Sequence, residues 1–324
     1  MALCAERSDG MEVFMNIGNK IKQYRELNKM TQKDIAEVLG VEPGTISKYE
    51  SGMIEPNIES IKKLAETFKI TIDELLKDEE KFDVSKVDVL KALREQKEMK
   101  LKGNLYHQTQ VSFAYNTNHI EGSTLTEDQT RYIFETNTIL FEGDTVAKVD
   151  DILETANHFK LVDYMLDVAD KKLTEKMIKE FHKILKDGTS DSRVEWFNVG
   201  DYKQKVNTIG SGIKTTSPEN VEKDMGKLMV WYNSFKQITI KEIIEFHYRF
   251  ESIHPFQDGN GRIGRLIMFK ECLKNNIIPF IIQDKDKLYY YRGLKEYKSE
   301  KGYLTDTCLN AQDQYVKMIE YYLK

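Results

Sequence analysis

Apolar residues recur at helical spacing along most of the chain, and short polar or glycine-containing stretches separate the runs. This periodicity predicts a mainly α protein with an N-terminal domain of five short helices at 15–78, a linker helix at 79–102 and a larger helical domain at 103–324. Residues 1–14 lack the pattern and are expected to form a flexible leader. One segment, 200–218, carries β-branched residues and glycines instead, which predicts a short β-hairpin.

Two of the N-terminal helices, 32–39 and 44–51, are predicted to be separated by a tight turn only. Gly40 ends the first helix, and Pro43 suits a first helical position. Two short helices joined by such a turn form the plan of a helix-turn-helix motif. The N-terminal domain is therefore predicted to be of the helix-turn-helix type.

The densest group of chemically useful side chains lies between His254 and Arg265, in the sequence HPFQDGNGRIGR. An unbroken apolar run follows, so the order is a loop and then a helix N-terminus. Gly259 and Gly261 let the backbone approach a ligand, and the unpaired N–H groups at a helix start attract anions. Arg262 and Arg265 share one helix face, and each can donate to phosphate oxygens. The string therefore predicts a cradle for phosphate groups.

Two more side chains add chemistry to this cradle. Asp258 can hold Mg²⁺, which prefers few carboxylates together with phosphates and water. His254 can take up a proton near pH 7. The alternative, a glycine-rich loop before a buried helix with surface arginines, explains each residue singly but not their combination. A Walker loop is excluded because no Gly-Lys-Ser/Thr follows the glycines.

The string matches every defined position of the motif H-x-F-x-D/E-G-N-G-R-x-x-R, and from about Leu101 onward the chain resembles the Fic (filamentation induced by cAMP) family that carries this motif. Most members transfer AMP from ATP to a protein hydroxyl, so the resemblance implies a protein adenylyltransferase that uses ATP and Mg²⁺ and has its Fic core at about 170–300. The roles that it implies are a base at His254, a loop anchor at Phe256, a Mg²⁺ ligand at Asp258, ligands of the α- and β-phosphates at Gly259, Asn260, Gly261 and Arg262, and a γ-phosphate ligand at Arg265. The related branch that phosphorylates has N-K/R in place of Asn260-Gly261-Arg262, so AMP transfer is favoured.

A second segment, Thr117 to Gly122 (TNHIEG), resembles the Fic inhibitory pattern S/T-x-x-x-E-G/N at the end of a predicted helix at about 104–122. The resemblance implies that Glu121 lies against Arg265 and takes the place of the γ-phosphate. Carboxylates and phosphates both bind the fork of a guanidinium group. The alternative is an ordinary helix-ending glutamate before a glycine cap.

Two further segments resemble parts of the Fic core. The predicted hairpin is similar to the family's flap, with Lys203 in place of an arginine and Ser211 in place of a glycine. A flap pairs with the backbone of the target protein by strand addition, and the alternative is a structural hairpin. The target-docking residues that the resemblance implies are Val206, Asn207, Thr208, Ile209 and Gly210. Tyr290 and Tyr291 lie where the family has a helix near the nucleotide base, so either ring would stack on adenine or be buried.

The string from Thr31 to Gly52, TQKDIAEVLGVEPGTISKYESG, resembles the Cro/C1-type (XRE) DNA-binding domain. The second helix of the pair would enter the major groove. The DNA-contacting residues that this implies are Gln32, Glu42, Gly44, Thr45 and Lys48. However, residues 15–77 hold ten Lys plus Arg and ten Asp plus Glu, whereas phosphate contacts normally supply much of the affinity for DNA. A protein-interaction or dimerisation module is therefore the alternative.

The bulk composition changes this picture little. The 324 residues carry a net charge of −5, which gives no general attraction to nucleic acid or membranes. Three scattered cysteines without metal spacing suit a reducing cytoplasm, and no apolar run reaches the ~18 residues that span a bilayer. We therefore expect a cytoplasmic protein, and the resemblance to the Fic family implies an enzyme that acts on a protein with a target hydroxyl. Self-modification and a homodimer stay open.

Two other functions fit the same residues. Glu121 would orient a water molecule in an enzyme that removes AMP from a modified protein. Alternatively, the Fic segment would only sense ATP within a transcriptional regulator, although pure sensing needs no base at His254. The sequence does not identify the target protein or a DNA operator.

Overall fold

The computed structural model describes residues 6–76, 82–141, 146–209 and 213–324; at 6–16, 209 and 213 it describes the backbone but not the side chains. Helices predominate within these residues, which confirms the mainly α fold class. The chain divides into two compact units, Met1–Asp83 and Val84–Lys324.

The first unit is the predicted set of short helices. They are α1 (Glu6–Leu27), α2 (Gln32–Leu39), α3 (Pro43–Glu50), α4 (Ile58–Phe68) and α5 (Ile72–Leu76). Thr31 caps α2 in a capping box with Asp34, and Gly40 ends α2 in the left-handed conformation. The core of this unit includes Ile35, Ala36, Leu39, Ile46 and Tyr49, which are all buried.

The first unit differs from the expected helix bounds at two places. The leader expected to be flexible over 1–14 is helical from Glu6 onward, as the first part of α1. No proline interrupts this segment, and a helix extends readily once its packed part has formed. Residues 1–5 lie outside the described part of the chain. The third helix begins at Pro43 rather than Gly44, because the fixed φ of proline suits the first helical position.

The helix predicted as a linker over 79–102 is shorter and belongs to the second unit. It is α6 (Val89–Met99), preceded by a 3₁₀ turn at Val84–Lys86. Leu93 is fully buried, and Nε of Arg94 donates to the carbonyl oxygen of Leu166 at 2.9 Å. One side of this helix therefore packs on its own unit.

The second unit continues with long helices. They are α7 (Leu105–Ile120), α8 (Glu127–Thr136), α9 (Val149–Asp167), α10 (Glu175–Leu185), α11 (Pro218–Asn233), α12 (Ile240–Ile253), α13 (Asn260–Lys274), α14 (Lys287–Glu296) and α15 (Gly302–Leu323). Thr126 and Thr174 are the N-caps of α8 and α10, and the side chain of each accepts a backbone N–H three residues further on. Among the described helices, none combines the length and the apolar character of a bilayer-crossing segment.

Helix α13 is the centre of the second unit, because every residue from 262 to 273 is buried. A helix that is buried all round needs neighbours on all sides, and α7, α9, α10 and α12 provide them. The loop that joins α12 to α13 is anchored by Phe256. Its ring is fully buried and stacks on the ring of His182 in α10, with the centroids 4.0 Å apart.

The predicted hairpin is present and consists of two very short strands. β1 (Thr208–Ile209) pairs antiparallel with β2 (Ile213–Lys214), and Thr208 lies opposite Lys214. The backbone N–H of Lys203 donates to the carbonyl oxygen of Pro255 at 2.8 Å. This bond attaches the base of the hairpin to the loop before α13.

Gly293 in α14 is expected to tolerate no larger side chain. A β-carbon there would lie 2.7 Å from Cα of Leu304, where α14 and α15 cross closely. We expect Gly293→Ala to lower the Tm, at a cost of about 1–3 kcal/mol from overpacking. Gly226→Ala in α11 is the matched control, because nothing lies within 4 Å of a β-carbon at that position and alanine favours a helix by about 0.5–1 kcal/mol. In thermal unfolding, Gly293→Ala should lower the Tm and Gly226→Ala should raise it. Equal Tm shifts in the two variants would contradict the close crossing of α14 and α15.

Candidate active site

The loop between α12 and α13 begins and ends with a left-handed residue. His254 has a φ of 53° and ends α12, and Gly259 has a φ of 80° and precedes α13. Because α13 starts at Asn260, its first N–H groups have no acceptor within the helix. This is the order, loop and then helix start, that the sequence predicted.

His254 is held by two side-chain amides. Its Nδ1 lies 3.0 Å from Nδ2 of Asn207 in the hairpin segment and 3.1 Å from Nδ2 of Asn260. Burial lowers the pKa of His254 to about 4, and the positive charge of Lys203 acts in the same direction. The imidazole is therefore neutral near pH 7, which is the state that can take up a proton.

Asp258 pairs with two cations. Its Oδ2 lies 3.0 Å from Nη2 of Arg262 and 2.8 Å from Nζ of Lys186. Burial acts to raise the pKa of the Asp258 carboxyl, but the charges of Arg262 and Lys186 outweigh burial and hold the pKa well below its ordinary value. Arg262 is 4% exposed and also pairs with Glu154 of α9. Asp258 is therefore ionised, and half of its side chain faces solvent.

Lys186, at the end of α10, is a buried cation among three carboxylates. Its Nζ lies 2.5 Å from Glu154, 2.6 Å from Asp191 and 2.8 Å from Asp258. The three carboxylates are close enough together to hold a metal ion, but the ammonium group of Lys186 already lies within 2.8 Å of each of them. The donor set still fits Mg²⁺ at the solvent side of Asp258, with phosphate oxygens and water as the other ligands.

Arg265, 3% exposed, is bound by the end of α7. Its guanidinium group donates to Oγ1 of Thr117 at 2.8 Å, to the carbonyl oxygen of Thr117 at 3.0 Å and to Oε1 of Glu121 at 2.7 Å. Gly261 makes room for this arrangement, because a β-carbon at 261 would overlap with Oε1 of Glu121. The carboxylate of Glu121 therefore lies beside the first turn of α13.

The two tyrosines expected near adenine differ in exposure. Tyr290 is 1% exposed, and its hydroxyl lies 2.7 Å from Nε2 of His247. Its ring is therefore not free to stack on a base, and the alternative of a buried tyrosine is correct here. Tyr291 is 37% exposed and donates its hydroxyl to the carbonyl oxygen of Ile120 at 3.1 Å. The stacking prediction now rests on Tyr291.

The hairpin segment presents some of its expected docking residues to solvent. Val206 and Thr208 are exposed, whereas Asn207 is half-buried against the loop. The side chain of Ile209 is not described, and Gly210 lies outside the described residues. Exposure of Val206 and Thr208 is what docking of a target backbone requires.

Comparisons with known proteins agree with this geometry. Residues 172–272 match the Fic/DOC family, and residues 21–75 match the helix-turn-helix family. The chain carries a Fic domain. It is 30% identical to Protein adenylyltransferase Fic from Nematostella vectensis over 186 residues. The aligned part covers 56% of this chain and 42% of the relative. It is 29% identical to the protein of the same name from Drosophila ananassae over 216 residues. That alignment covers 65% of this chain and 41% of the relative. The chain thus spans less than half the length of these curated relatives.

Solved structures share the fold of the Fic domain. A Fic domain containing signalling protein from Bacteroides thetaiotaomicron aligns with a TM-score of 0.57 at 23% identity, over 71% of this chain and 94% of that protein. Fic-1 (residues 134–508) from C. elegans aligns with a TM-score of 0.55 at 17% identity, over 93% of this chain and 88% of that protein. At these identities the likeness concerns the fold alone.

In the helix-turn-helix unit, most of the residues expected to contact DNA lie at the start of α3. The side of α3 and of its N-cap that carries Glu42, Gly44, Thr45 and Lys48 is exposed or partly exposed. Gln32 at the start of α2 has a protein partner instead, because its Nε2 donates to Oε2 of Glu50 at 2.8 Å. The DNA contacts therefore stay predictions, and the one expected from Gln32 would compete with this bond.

Sequence reasoning missed the residues of other helices that hold the Fic loop. Glu154 pairs with Arg262, which lies 108 positions further along the chain. Lys186 pairs with Asp258, which lies 72 positions further along. His182 accepts the N–H of Gly200 at Nδ1 and lies 3.2 Å from the carbonyl oxygen of Asp258 at Nε2. The sequence signal that could have found these residues is a polar residue on the apolar face of an amphipathic helix. Such a residue is expected to be buried, but the pattern does not show which side chain it will bind.

Lys186 is expected to be essential for the charge balance of the loop. Lys186→Met would leave Glu154, Asp191 and Asp258 close together without their shared cation, and removing one member of a buried ion pair costs about 3–5 kcal/mol. We expect a lower Tm in EDTA than for the unmodified protein, with a larger rise on adding Mg²⁺ or Mn²⁺. Lys179→Met on the same helix is the control, because Lys179 pairs with Asp201 at the surface, where such pairs contribute roughly 0–1 kcal/mol. A Tm of Lys186→Met that equals that of Lys179→Met would contradict this role.

Proposed function

We propose that this protein transfers AMP from ATP to a hydroxyl group of a Ser, Thr or Tyr residue in a target protein. The enzyme would also be one of its own targets. The observation that carries the proposal is the arrangement at the start of α13, where a neutral His254, the unpaired N–H groups of α13 and the buried Arg262 and Arg265 share one loop and one helix turn. The names of the curated relatives support the same reaction.

The reaction would be an in-line attack of the target hydroxyl on the α-phosphate. The bond from the hydroxyl oxygen to the α-phosphorus forms, the bond to the β-phosphate oxygen breaks, and pyrophosphate leaves. His254 takes up the hydroxyl proton, while Arg262, Arg265 and the N–H groups of Asn260 and Gly261 stabilise the phosphate charge. Mg²⁺ bound at Asp258 would supply further positive charge to the phosphates.

Glu121 would restrain this reaction. Its carboxylate binds Arg265 at 2.7 Å, and Arg265 is the proposed ligand of the γ-phosphate. While the pair holds, the γ-phosphate cannot bind Arg265, so the α-phosphate would be misaligned for attack. A displacement of ~1 Å can lower a rate by ~10²-fold. The side chain of Glu121 is 32% exposed, whereas that of Arg265 is 2% exposed, so the glutamate is the partner that would move.

The N-terminal unit would bind DNA and connect the enzyme with transcription. Support comes from the helix-turn-helix match and from the exposed or partly exposed residues in and just before α3. Of these, Glu42, Gly44, Thr45 and Lys48 would face the major groove. The even charge of residues 15–77 predicts modest affinity that depends on base contacts more than on phosphates.

Removal of the Glu121 carboxylate is expected to activate the enzyme. With labelled ATP, Mg²⁺ and cell lysate, the unmodified protein should be nearly silent, and Glu121→Gly should incorporate AMP ~10²-fold faster. Adding His254→Ala to Glu121→Gly should retain ATP binding and lower incorporation by ~10²–10⁴-fold, the usual effect of losing a general base. Arg265→Ala should stay silent, because it removes the phosphate contact together with the pair.

Three results would change the proposal. Equal incorporation by the unmodified protein and Glu121→Gly would exclude the restraint. Undiminished incorporation by the variant that also carries His254→Ala would exclude His254 as the base. Release of AMP from a modified protein by the unmodified enzyme, but not by Glu121→Gly, would favour the reverse reaction.

The DNA-binding proposal predicts a specific gel shift. The full chain should prefer a sequence within the DNA upstream of its own gene, and Thr45→Ala with Lys48→Ala should abolish that preference, since each lost base contact costs about 1–3 kcal/mol. Lys62→Ala on α4 is the matched control, because it removes one exposed positive charge outside α3. Binding that is blind to sequence, or a loss of binding in Lys62→Ala of the same size, would assign the unit to protein interaction instead.

A further inference from the structure

One ring nitrogen of His254 faces two side-chain amides at once. Nδ2 of Asn207 and Nδ2 of Asn260 lie 3.0 Å and 3.1 Å from Nδ1 of His254. Asn260 belongs to the first turn of α13, whereas Asn207 directly precedes strand β1 of the hairpin. The hairpin therefore has a direct bond to the proposed base.

The orientation of both amides follows from their other partners. Oδ1 of Asn207 accepts from Nζ of Lys203 at 2.7 Å, and Oδ1 of Asn260 accepts from the backbone N–H of Phe256 at 2.8 Å. An ammonium group and a backbone N–H can only donate. Each amide oxygen must therefore face these donors, and each NH₂ group must face His254.

This orientation decides the tautomer of His254. An amide NH₂ group can donate but has no lone pair to accept with, so Nδ1 must be the acceptor. The neutral ring then carries its proton on Nε2. Nε2 is the nitrogen turned away from the two amides and hence the one left to meet a target hydroxyl, but in this tautomer it has no lone pair for the hydroxyl proton.

We propose that Asn207 is a positioning residue that links the hairpin to His254 and holds the ring in the tautomer that cannot act as a base. This inference rests on the proposed function, in which the hairpin docks a target backbone. Docking would move Asn207 and leave Asn260 as the remaining amide that donates to Nδ1. Tautomer exchange, in which Nε2 gives its proton to water and Nδ1 takes one from water, would then break one amide hydrogen bond instead of two. The carbonyl oxygens of Phe256 and Gln257, which accept from Asn207 at 2.9 Å and 3.3 Å, would then be acceptors for Nδ1–H.

The charged groups around the ring do not account for this tautomer by themselves. Lys203 lies behind Asn207 and lowers the pKa of His254, while Glu121 of α7 and Asp258 of the loop act to raise it. Such charges shift the balance between the neutral and the protonated ring. The choice between the two neutral tautomers is set by which nitrogen receives a hydrogen bond.

Nitrogen-15 NMR of the ring tests the inference without ATP and without activity, so its outcome is independent of the proposed function. Long-range ¹H–¹⁵N spectra of the full chain, with His254→Ala to assign the signals, should show the neutral ring protonated at Nε2. Asn207→Asp replaces the donating NH₂ group by an accepting oxygen. We expect it to move the proton to Nδ1 and to raise the pKa of His254 by about 1 to 3, as an opposite charge within ~4–6 Å does.

Gln204→Asp is the control, because it adds the same charge at an exposed position of the same segment without replacing the amide on Nδ1. It should leave the tautomer at Nε2–H and change the pKa of His254 far less than Asn207→Asp. A ring protonated at Nδ1 in the unmodified protein would overturn the proposal. So would an unchanged tautomer in Asn207→Asp, or equal titration curves for the two aspartate variants.

Discussion

The structure of the Fic domain depends on the pairing of two buried guanidinium groups at the start of α13. Arg262 and Arg265 are 4% and 3% exposed, and a buried cation is tolerated only when anions pair with it. In the described part of the chain, Arg262 pairs with Glu154 and Asp258, and Arg265 pairs with Glu121. Each of these carboxylates comes from a different element, so this requirement determines how α7, α9 and the loop are placed around α13.

The carboxylates differ in how firmly they are held. The side chain of Glu154 is 11% exposed and is shared between Arg262 and Lys186, whereas those of Asp258 and Glu121 are 51% and 32% exposed. An incoming phosphate can replace an exposed carboxylate on a guanidinium group because both present oxygens to the same fork of donors. Glu154 is thus the most firmly held of the three carboxylates, and Glu121 is the one that a substrate anion would replace in the proposed function.

The hairpin adds a second connection to the loop, through hydrogen bonds instead of charge pairs. Lys203 lies just before the strands of the hairpin and is 2% exposed. Desolvation lowers the pKa of Lys203 to about 8. Its ammonium group orders Asn207 and Thr215 at 2.7 Å each. In the proposed reaction, restraint by Glu121 would act on the phosphate side of the site, and the contact of Asn207 would act on the base, so the two would control different steps.

Local patterns in the sequence were sufficient for the fold class, the hairpin and the order of loop and helix around His254, because each depends on neighbours within a few residues. The pairing of Glu121 with Arg265 was accessible only through resemblance to a family. Tertiary structure alone decided that Tyr290 is buried, that α6 packs in the second unit, and that Lys186, Glu154 and His182 hold the loop. Those contacts join residues many positions apart, and the periodicity of a helix shows which face is buried but not which side chain it will meet.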